Sequence, residues 1–305
     1  MAEFSIIERY FKRTSKSDVS LGIGDDSAIV TPPPSQQLVI CADTLVAGRH
    51  FPLDTSAHAI GWKSVAVNLS DLAAMGAKPH SILLALSLPT VDHGWLAGFS
   101  QGLFDCCDQF GVSLIGGDTT QSSQLTITVT ALGWIEHGQA IIRSGAQVGD
   151  YICVSGQVGD AAFGLKHPGH ALQQRLDYPT PRCNLGQQLK GLASSMIDVS
   201  DGLAQDLGHI LKASNVGAKL QLDQLPIDES LKKLEKQQAW HYALAGGDDY
   251  ELCFTISPQN FEKLLRQQLD VPLTIIGKIT QQTGLSFVYM GENHPLAVQG
   301  YQHFA

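Results

Sequence analysis

The carboxylates of this chain gather in short clusters, most of them beside glycine. They read Gly24-Asp25-Asp26, Asp43-Thr44, Asn68-Leu69-Ser70-Asp71, Gly116-Gly117-Asp118-Thr119-Thr120, Asp198-Val199-Ser200-Asp201-Gly202 and Gly246-Gly247-Asp248-Asp249. Of the 29 acidic residues, 21 are Asp and 8 are Glu, so the short, rigid carboxylate is favoured. Mg²⁺ demands near-octahedral oxygen and takes carboxylates together with substrate phosphates. Six such clusters read as a multi-metal site for a polyphosphate.

Each cluster alone has a plainer reading. Gly24-Asp25-Asp26 also fits a simple turn, because Asp and Gly are turn formers. Asp43 lies just past a short apolar strand, where ligands gather in α/β sheets. Asp71 falls inside an otherwise apolar helix, with Asn68 on the same face, and a buried carboxylate needs a partner or a metal. Gly116-Gly117 lets a backbone approach a phosphate closely, with Asp118 and the threonines beside it. Asp198-Val199-Ser200-Asp201 also fits the N-cap of a following helix. The signal lies in the set.

Net charge is −9, and charged residues make up 16% of the chain, below the usual ~25%. No basic face for nucleic acid is apparent. An acidic protein that handles phosphates must neutralise them with cations. Nucleotide-binding motifs of the common kinds are missing: there is no G-x-x-x-x-G-K-[ST] loop, Gly22-x-Gly24 lacks a third glycine, and no kinase H-R-D or D-F-G set occurs. The six cysteines show no metal-ligand or C-x-x-C spacing and read as buried, reduced thiols. Residues 1–13 pattern as an amphipathic helix, not a signal peptide. No apolar run approaches the ~18 residues of a membrane span. A cytoplasmic enzyme, with no nucleic-acid or membrane partner, is expected.

The elements that must position these clusters alternate in type. Strands are expected at 38–41, 81–88, 112–115, 125–134, 151–154, 219–222, 250–256 and 273–276. Helices are expected from about 55 to 75, then at 93–110, 156–165, 184–193, 203–213 and 258–268. Residues 167–178 read as a loop. Leu125–Trp134 alternates apolar and polar residues, as a half-exposed antiparallel strand does. The polar turn Gly145–Asp150 is the best boundary, dividing the chain into 1–145 and 146–305.

At these residues the chain resembles the thiamine-monophosphate kinase family, part of the superfamily that includes aminoimidazole ribonucleotide synthetase and selenophosphate synthetase. The resemblance is carried by Gly22-Ile-Gly-Asp-Asp26, by Asp43 to Phe51, by Ala66 to Ala77, by Leu114 to Thr120, by Asp198 to Leu203 and by Gly246 to Leu252. It runs from about Phe4 to Phe304, in order. It implies a two-domain α/β (α+β) fold. The N-terminal α/β domain, binding ATP and Mg²⁺, would pair with a second subunit in an intersubunit β-barrel, and the C-terminal domain is also α/β. The implied reaction is ATP-dependent phosphorylation of thiamine phosphate to thiamine diphosphate, the last step of its biosynthesis, in a homodimer.

By position in the motifs, the resemblance makes Asp26, Asp43, Asp71, Asp118, Asp198 and Asp201 ligands for several Mg²⁺, with Asp43, Asp118 and Asp201 at the catalytic centre. Gly117, Asp118, Arg143 and Ser200 would contact ATP. His50, Asp248 and Tyr301 would contact thiamine phosphate. Two motifs depart from the family pattern. Cys41-Ala42 stands where Ser-Thr is common, so these two could ligate metal only through backbone carbonyls. Asp248 stands where Glu is common, one methylene shorter. A selenophosphate synthetase would carry a reactive Cys or selenocysteine upstream of Gly22, and no Cys is there. A non-catalytic nucleotide sensor is the reading from a different class, and turnover separates the two. The acceptor is a phosphate oxygen already ionised near neutral pH, so transfer needs positioning and charge neutralisation more than a base. Direct in-line transfer without a phosphoenzyme is expected.

Overall fold

A computed structural model describes residues 3–14, 18–298 and 300–301. The chain divides into two compact units. The first comprises the residues up to Leu72 together with Ala77–Gly138, and the second comprises Ala73–Gly76 and everything from Gln139.

Unit 1 opens with a short helix, α1 (Glu3–Ile6), continued by a π-turn through Phe11. Ile6 and Phe11 are buried, as expected of an amphipathic segment; Met1 and Ala2 lie outside the described residues. A small pair, β1 (Val19–Leu21) and β2 (Ile29–Val30), brackets the Gly22–Ala28 loop. The main sheet holds β3 (Gln36–Val46), β4 (Lys78–Leu88), β5 (Ser113–Gln121) and β6 (Thr126–Glu136) in the order β3-β6-β4-β5. Only β4 and β5 run parallel. Their connection is the crossover helix α3 (His93–Phe110), as parallel strands require.

The α3 ends are where the sequence places them. Asp92 accepts from the N–H groups of Gly94 and Trp95, and Gly111 closes the helix at φ 63°. Ser56 likewise accepts from the Ala59 N–H at the start of α2 (Ala57–Ala74). The two helices nearly touch, because a Cβ on Gly102 would fall 1.9 Å from the His58 carbonyl oxygen. Together they cover one sheet face. The other face leaves Leu38 43% and Ile40 57% exposed. The sheet is open, with β3 and β5 as its edges, and among the described residues no closed barrel is seen.

Two strands run further than the sequence suggests. β3 continues through Val46, so Asp43 lies within the strand and not past its end. β5 continues through Gln121, so Gly116–Thr120 lies within the strand and not past its end. Pairing with Leu83–Leu88 of β4 holds that polar stretch in line, which local propensity could not reveal.

Unit 2 is built on a seven-stranded mixed sheet: β7 (Tyr151–Ser155), β8 (Ala193–Asp198), β9 (Gly217–Gln221), β10 (Leu252–Ile256), β11 (Leu273–Thr280), β12 (Gly284–Tyr289) and β13 (Glu292–Asn293). The order is β13-β12-β9-β11-β7-β10-β8. Its helices are α4 (Asp160–Lys166), α5 (Gln173–Asp177), α6 (Cys183–Gln188), α7 (Leu203–Ser214), α8 (Glu229–Lys232), α9 (Lys236–Ala245) and α10 (Pro258–Leu264). Leu203, Leu207 and Ile210 of α7 and Trp240, Ala243 and Leu244 of α9 share one core with Ile152, Val154, Ile197 and Leu220.

The stretch 167–178, read as a loop, contains α5. Arg175 of that helix is drawn onto buried Glu251, a partner 76 residues away. β10 begins at Leu252, two residues later than expected, because Asp248 and Tyr250 are left-handed (φ 67° and 52°) and cannot continue a strand. Five of the six cysteines are buried, and Cys41 is half-buried. Burial pushes the thiols of Cys153, Cys183 and Cys253 up, consistent with inert core residues. Among the described residues no helix is long and apolar enough to cross a membrane.

Candidate active site

In unit 1 the first grouping lies between β3 and α2. The Asp43 N–H donates to Asn68 Oδ1 at 3.0 Å, and the Cys41 thiol reaches the Asn68 carbonyl at 3.3 Å. Asn68 is fully buried, and its Nδ2 donates to the Ser64 carbonyl at 3.0 Å. One side chain therefore ties the strand to the helix at the acidic positions. Burial, then the charges of Asp71 and Asp43, hold the Cys41 thiol well above its ordinary value. Cys41, Asp43 and Asp71 thus form one electronegative group. Ala42 alternates to the other sheet face and is exposed. His50 lies in the turn after β3, where its Nδ1 accepts from the Val46 N–H at 3.0 Å.

The second grouping surrounds a cavity of about 1000 Å³ lined by Glu8, Lys12, Asp25, Asp26, Gly117 and Asp118, among others. It brings the loop between β1 and β2 against the bare backbone of β5. Gly117 has φ 147°, and a Cβ there would fall 1.8 Å from the Leu84 carbonyl oxygen, so only glycine fits. Asp26 and Asp118 are both exposed.

The register relates the two groupings. Asp43 pairs with Val129, Val129 with Leu84 and Leu84 with Gly117. Three strand spacings separate Asp43 from Gly117, about 14 Å. One cation cannot touch both, whereas several cations strung along a polyphosphate can.

In unit 2 the functional positions lie at one end of the sheet. Asp198 closes β8 and is 5% exposed. The Asp248 N–H donates to the Ser200 carbonyl at 2.9 Å, and the Tyr250 N–H donates to the Val199 carbonyl at 2.8 Å. The Tyr301 N–H donates to the Asp201 carbonyl at 3.1 Å. Asp198, Ser200, Asp201, Asp248 and Tyr301 are therefore neighbours. Arg143 is not part of this group within unit 2. Its carbonyl accepts from Ser214 at the far end of α7, and its side chain is exposed.

The residues that hold this group in place were not apparent from the sequence. Asp206 Oδ2 accepts from the N–H groups of Ser200, Asp201 and Gly202 at 3.0, 3.1 and 3.1 Å. Burial, then the charges of Asp198 and Asp201, push its carboxyl up to about 7 despite those three donors. The acidic residue in the first turn of α7 was the available signal. Glu251 is fully buried and accepts from Arg175 Nη2 at 2.6 Å, Arg182 Nε at 2.7 Å and Ser155 Oγ at 2.5 Å. Asp249 accepts from the Gly159 N–H at 2.7 Å, and burial raises its carboxyl well above the usual range. Buried Asp249 and Glu251 clamp the segment. Asp248, just before them in the chain, is half-buried, with Tyr250 Oη donating to its Oδ1 at 2.9 Å.

Among the described residues no three His, Cys, Asp or Glu side chains converge as a self-contained metal cage. Mg²⁺ does not need one, since it takes one or two carboxylates when phosphate oxygens and water complete its octahedron. The mutual repulsion that Asp198 and Asp201 impose on Asp206 is the kind a divalent cation relieves. The donor set fits that ion.

Comparison with known proteins places the chain in a family. Residues 24–135 match the family described as AIR synthase related protein, N-terminal domain, and residues 169–290 match its C-terminal domain. The chain is 48% identical over 320 residues to a thiamine-monophosphate kinase of Escherichia coli K12, covering 99% of this chain and 98% of that one. It is similar to a crystal structure of a thiamine-monophosphate kinase from Stenotrophomonas maltophilia, with a TM-score of 0.85 and 46% identity over 92% of this chain and 93% of that one. A solved structure of AaThiL complexed with AMPPCP and TMP superposes with a TM-score of 0.78 at 30% identity, covering 93% of each chain.

Proposed function

The chain belongs to the thiamine-monophosphate kinase family, built on the two AIR synthase related domains, and we propose on that ground that it transfers the γ-phosphoryl group of ATP to thiamine phosphate, giving ADP and thiamine diphosphate. The observation that carries this reading is the gathering of Asp198, Ser200, Asp201, Asp248 and Tyr301 at one end of unit 2 in a chain of this family. The solved relative complexed with AMPPCP and TMP supports ATP as co-substrate and thiamine phosphate as acceptor.

The residues divide by what each can offer. Asp26, Asp43, Asp71, Asp118, Asp198 and Asp201 supply carboxylates for Mg²⁺, with the backbone carbonyls of Cys41 and Ala42 in reserve. Bound Mg²⁺ would neutralise the phosphates and stabilise the transferring group. Asp43, Asp118 and Asp201 are the carboxylates we assign to that group. Gly117 offers ATP a backbone with no side chain in the way; Asp118, Ser200 and the Arg143 guanidinium complete the nucleotide contacts. His50, held in the turn after β3 by the Val46 N–H bond to its Nδ1, is assigned to the acceptor's phosphate. Asp248 and Tyr301 face the same substrate. The acceptor oxygen is already ionised, so no residue needs to act as a strong base, and transfer is direct.

The first domain, residues 1–145, carries most of the nucleotide and metal positions, and we assign dimerisation to it as well. The open sheet face with Leu38 and Ile40 exposed supports a second copy covering it, in an intersubunit barrel with two-fold symmetry. The need for ATP favours the cytoplasm.

An ADP-release assay tests the function. ADP should form with thiamine phosphate and not with water as acceptor, and γ-labelled ATP alone should leave no label on the protein. ADP release indifferent to thiamine phosphate would overturn the reading.

A further inference from the structure

Gln205 stands at a junction that the proposed roles do not use. Its side-chain Nε2 donates to Asp201 Oδ2 at 3.0 Å and to the Tyr301 carbonyl at 3.0 Å. Both N–H bonds of one amide are therefore spent, one on a carboxylate assigned to metal and one on the segment assigned to the acceptor. The Tyr301 N–H returns a bond to the Asp201 carbonyl at 3.1 Å. Gly300 comes so close that a Cβ there would fall 2.7 Å from Gln205 Oε1 and 2.8 Å from the Asp201 carbonyl oxygen. Leu296 and Val298 pack on the unit 2 core just upstream. Gly300 and Tyr301 are thus laid over the start of α7 and latched to Asp201 through Gln205.

We propose that Gln205 is a positioning residue that couples the two substrates: it makes the orientation of Asp201 depend on the docking of Tyr301, so acceptor binding and nucleotide–Mg²⁺ binding strengthen each other. The physical basis is reciprocity. Any group that holds two ligand-contacting elements in one arrangement lets either ligand stabilise that arrangement for the other. The inference rests on the proposed roles of Asp201 and Tyr301.

The test measures binding, not turnover. The affinity of Mg²⁺ with a non-hydrolysable ATP analogue is titrated calorimetrically with and without saturating thiamine phosphate. The wild-type chain should show tightening of about five-fold or more, the lower end of usual allosteric couplings. Gln205→Met keeps the length and removes both donors. It should bring the ratio near one while each ligand still binds by itself, and it should speed hydrogen exchange at the Tyr301 amide. Gly300→Ala should do the same by lifting the segment off Gln205, and it replaces Gln205→Met if that variant does not fold. A ratio unchanged in a folded variant overturns the coupling, as does a wild-type ratio of one. Failure of thiamine phosphate to bind at all overturns the functional reading instead.

Discussion

The backbone N–H of Asp43, on strand β3, donates to the side-chain oxygen of Asn68, on helix α2, at 3.0 Å. A single buried amide therefore sets how the strand carrying Asp43 sits under the helix carrying Asp71. Asn68→Ala would leave the Asp43 N–H without that acceptor, and an unsatisfied buried group costs about 1–3 kcal/mol. Urea unfolding should show a loss of that size, and activity should fall further than stability because two carboxylates lose their registration. A variant with wild-type stability and activity would remove Asn68 from the site's supports.

Asp43 and Asp118 are the carboxylates whose charge matters most to the reading of unit 1. Asp43→Asn and Asp118→Asn keep shape and lose charge. Each should lower kcat by ~10²-fold or more, the usual cost of removing a transition-state charge clamp. Melting curves should stay close to wild type, since Asp118 is exposed and Asp43 half-buried. Near-normal turnover of both at saturating Mg²⁺ would sink the multi-metal site.

Asp248 offers a test of the acceptor side. Its backbone is held left-handed by the bond to Ser200, and Tyr250 Oη occupies one carboxylate oxygen. Asp248→Ala should raise KM for thiamine phosphate much more than KM for ATP, with little change in kcat, the pattern of lost uniform binding. Asp248→Glu should be tolerated. If ATP and Mg²⁺ dependence weaken instead, Asp248 is a metal ligand.

The α4 helix offers a pH test away from the metal positions. Asp160 is 1% exposed, and burial chiefly pushes its carboxyl up to about 6, with Arg175 pulling down and Asp228 and Glu251 pushing up. A raised folded value means that the folded chain holds the proton more tightly. This contribution to stability is complete below about 3.8 and disappears as pH rises through about 6. Asp160→Asn does not titrate. Its melting temperature relative to wild type should therefore move upward between pH 4 and pH 7, by the equivalent of about 2–3 kcal/mol. A difference that stays flat with pH would mean that Asp160 does not titrate in that window.

Much of the chemistry was legible in the residues themselves. The Asp–Gly clusters pointed to a phosphate, and α3 was read at its observed span, 93–110, because helix periodicity and turn preferences act between near neighbours. The apolar alternation of β6 likewise announced a half-exposed strand. What the chain order could not show were the contacts that close over long separations. Glu251 finds Arg175 across 76 residues, and Gln205 finds Tyr301 across 96. Gly116–Thr120 reads as chain past the end of a strand until β4 pairs with it, and Asp43 reads as a strand end until Thr126–Val129 extend the ladder. Local sequence determines which residues can bind a cation or a phosphate. Only tertiary pairing determines which of them stand together, because register and burial are properties of two segments meeting and are written in neither segment alone.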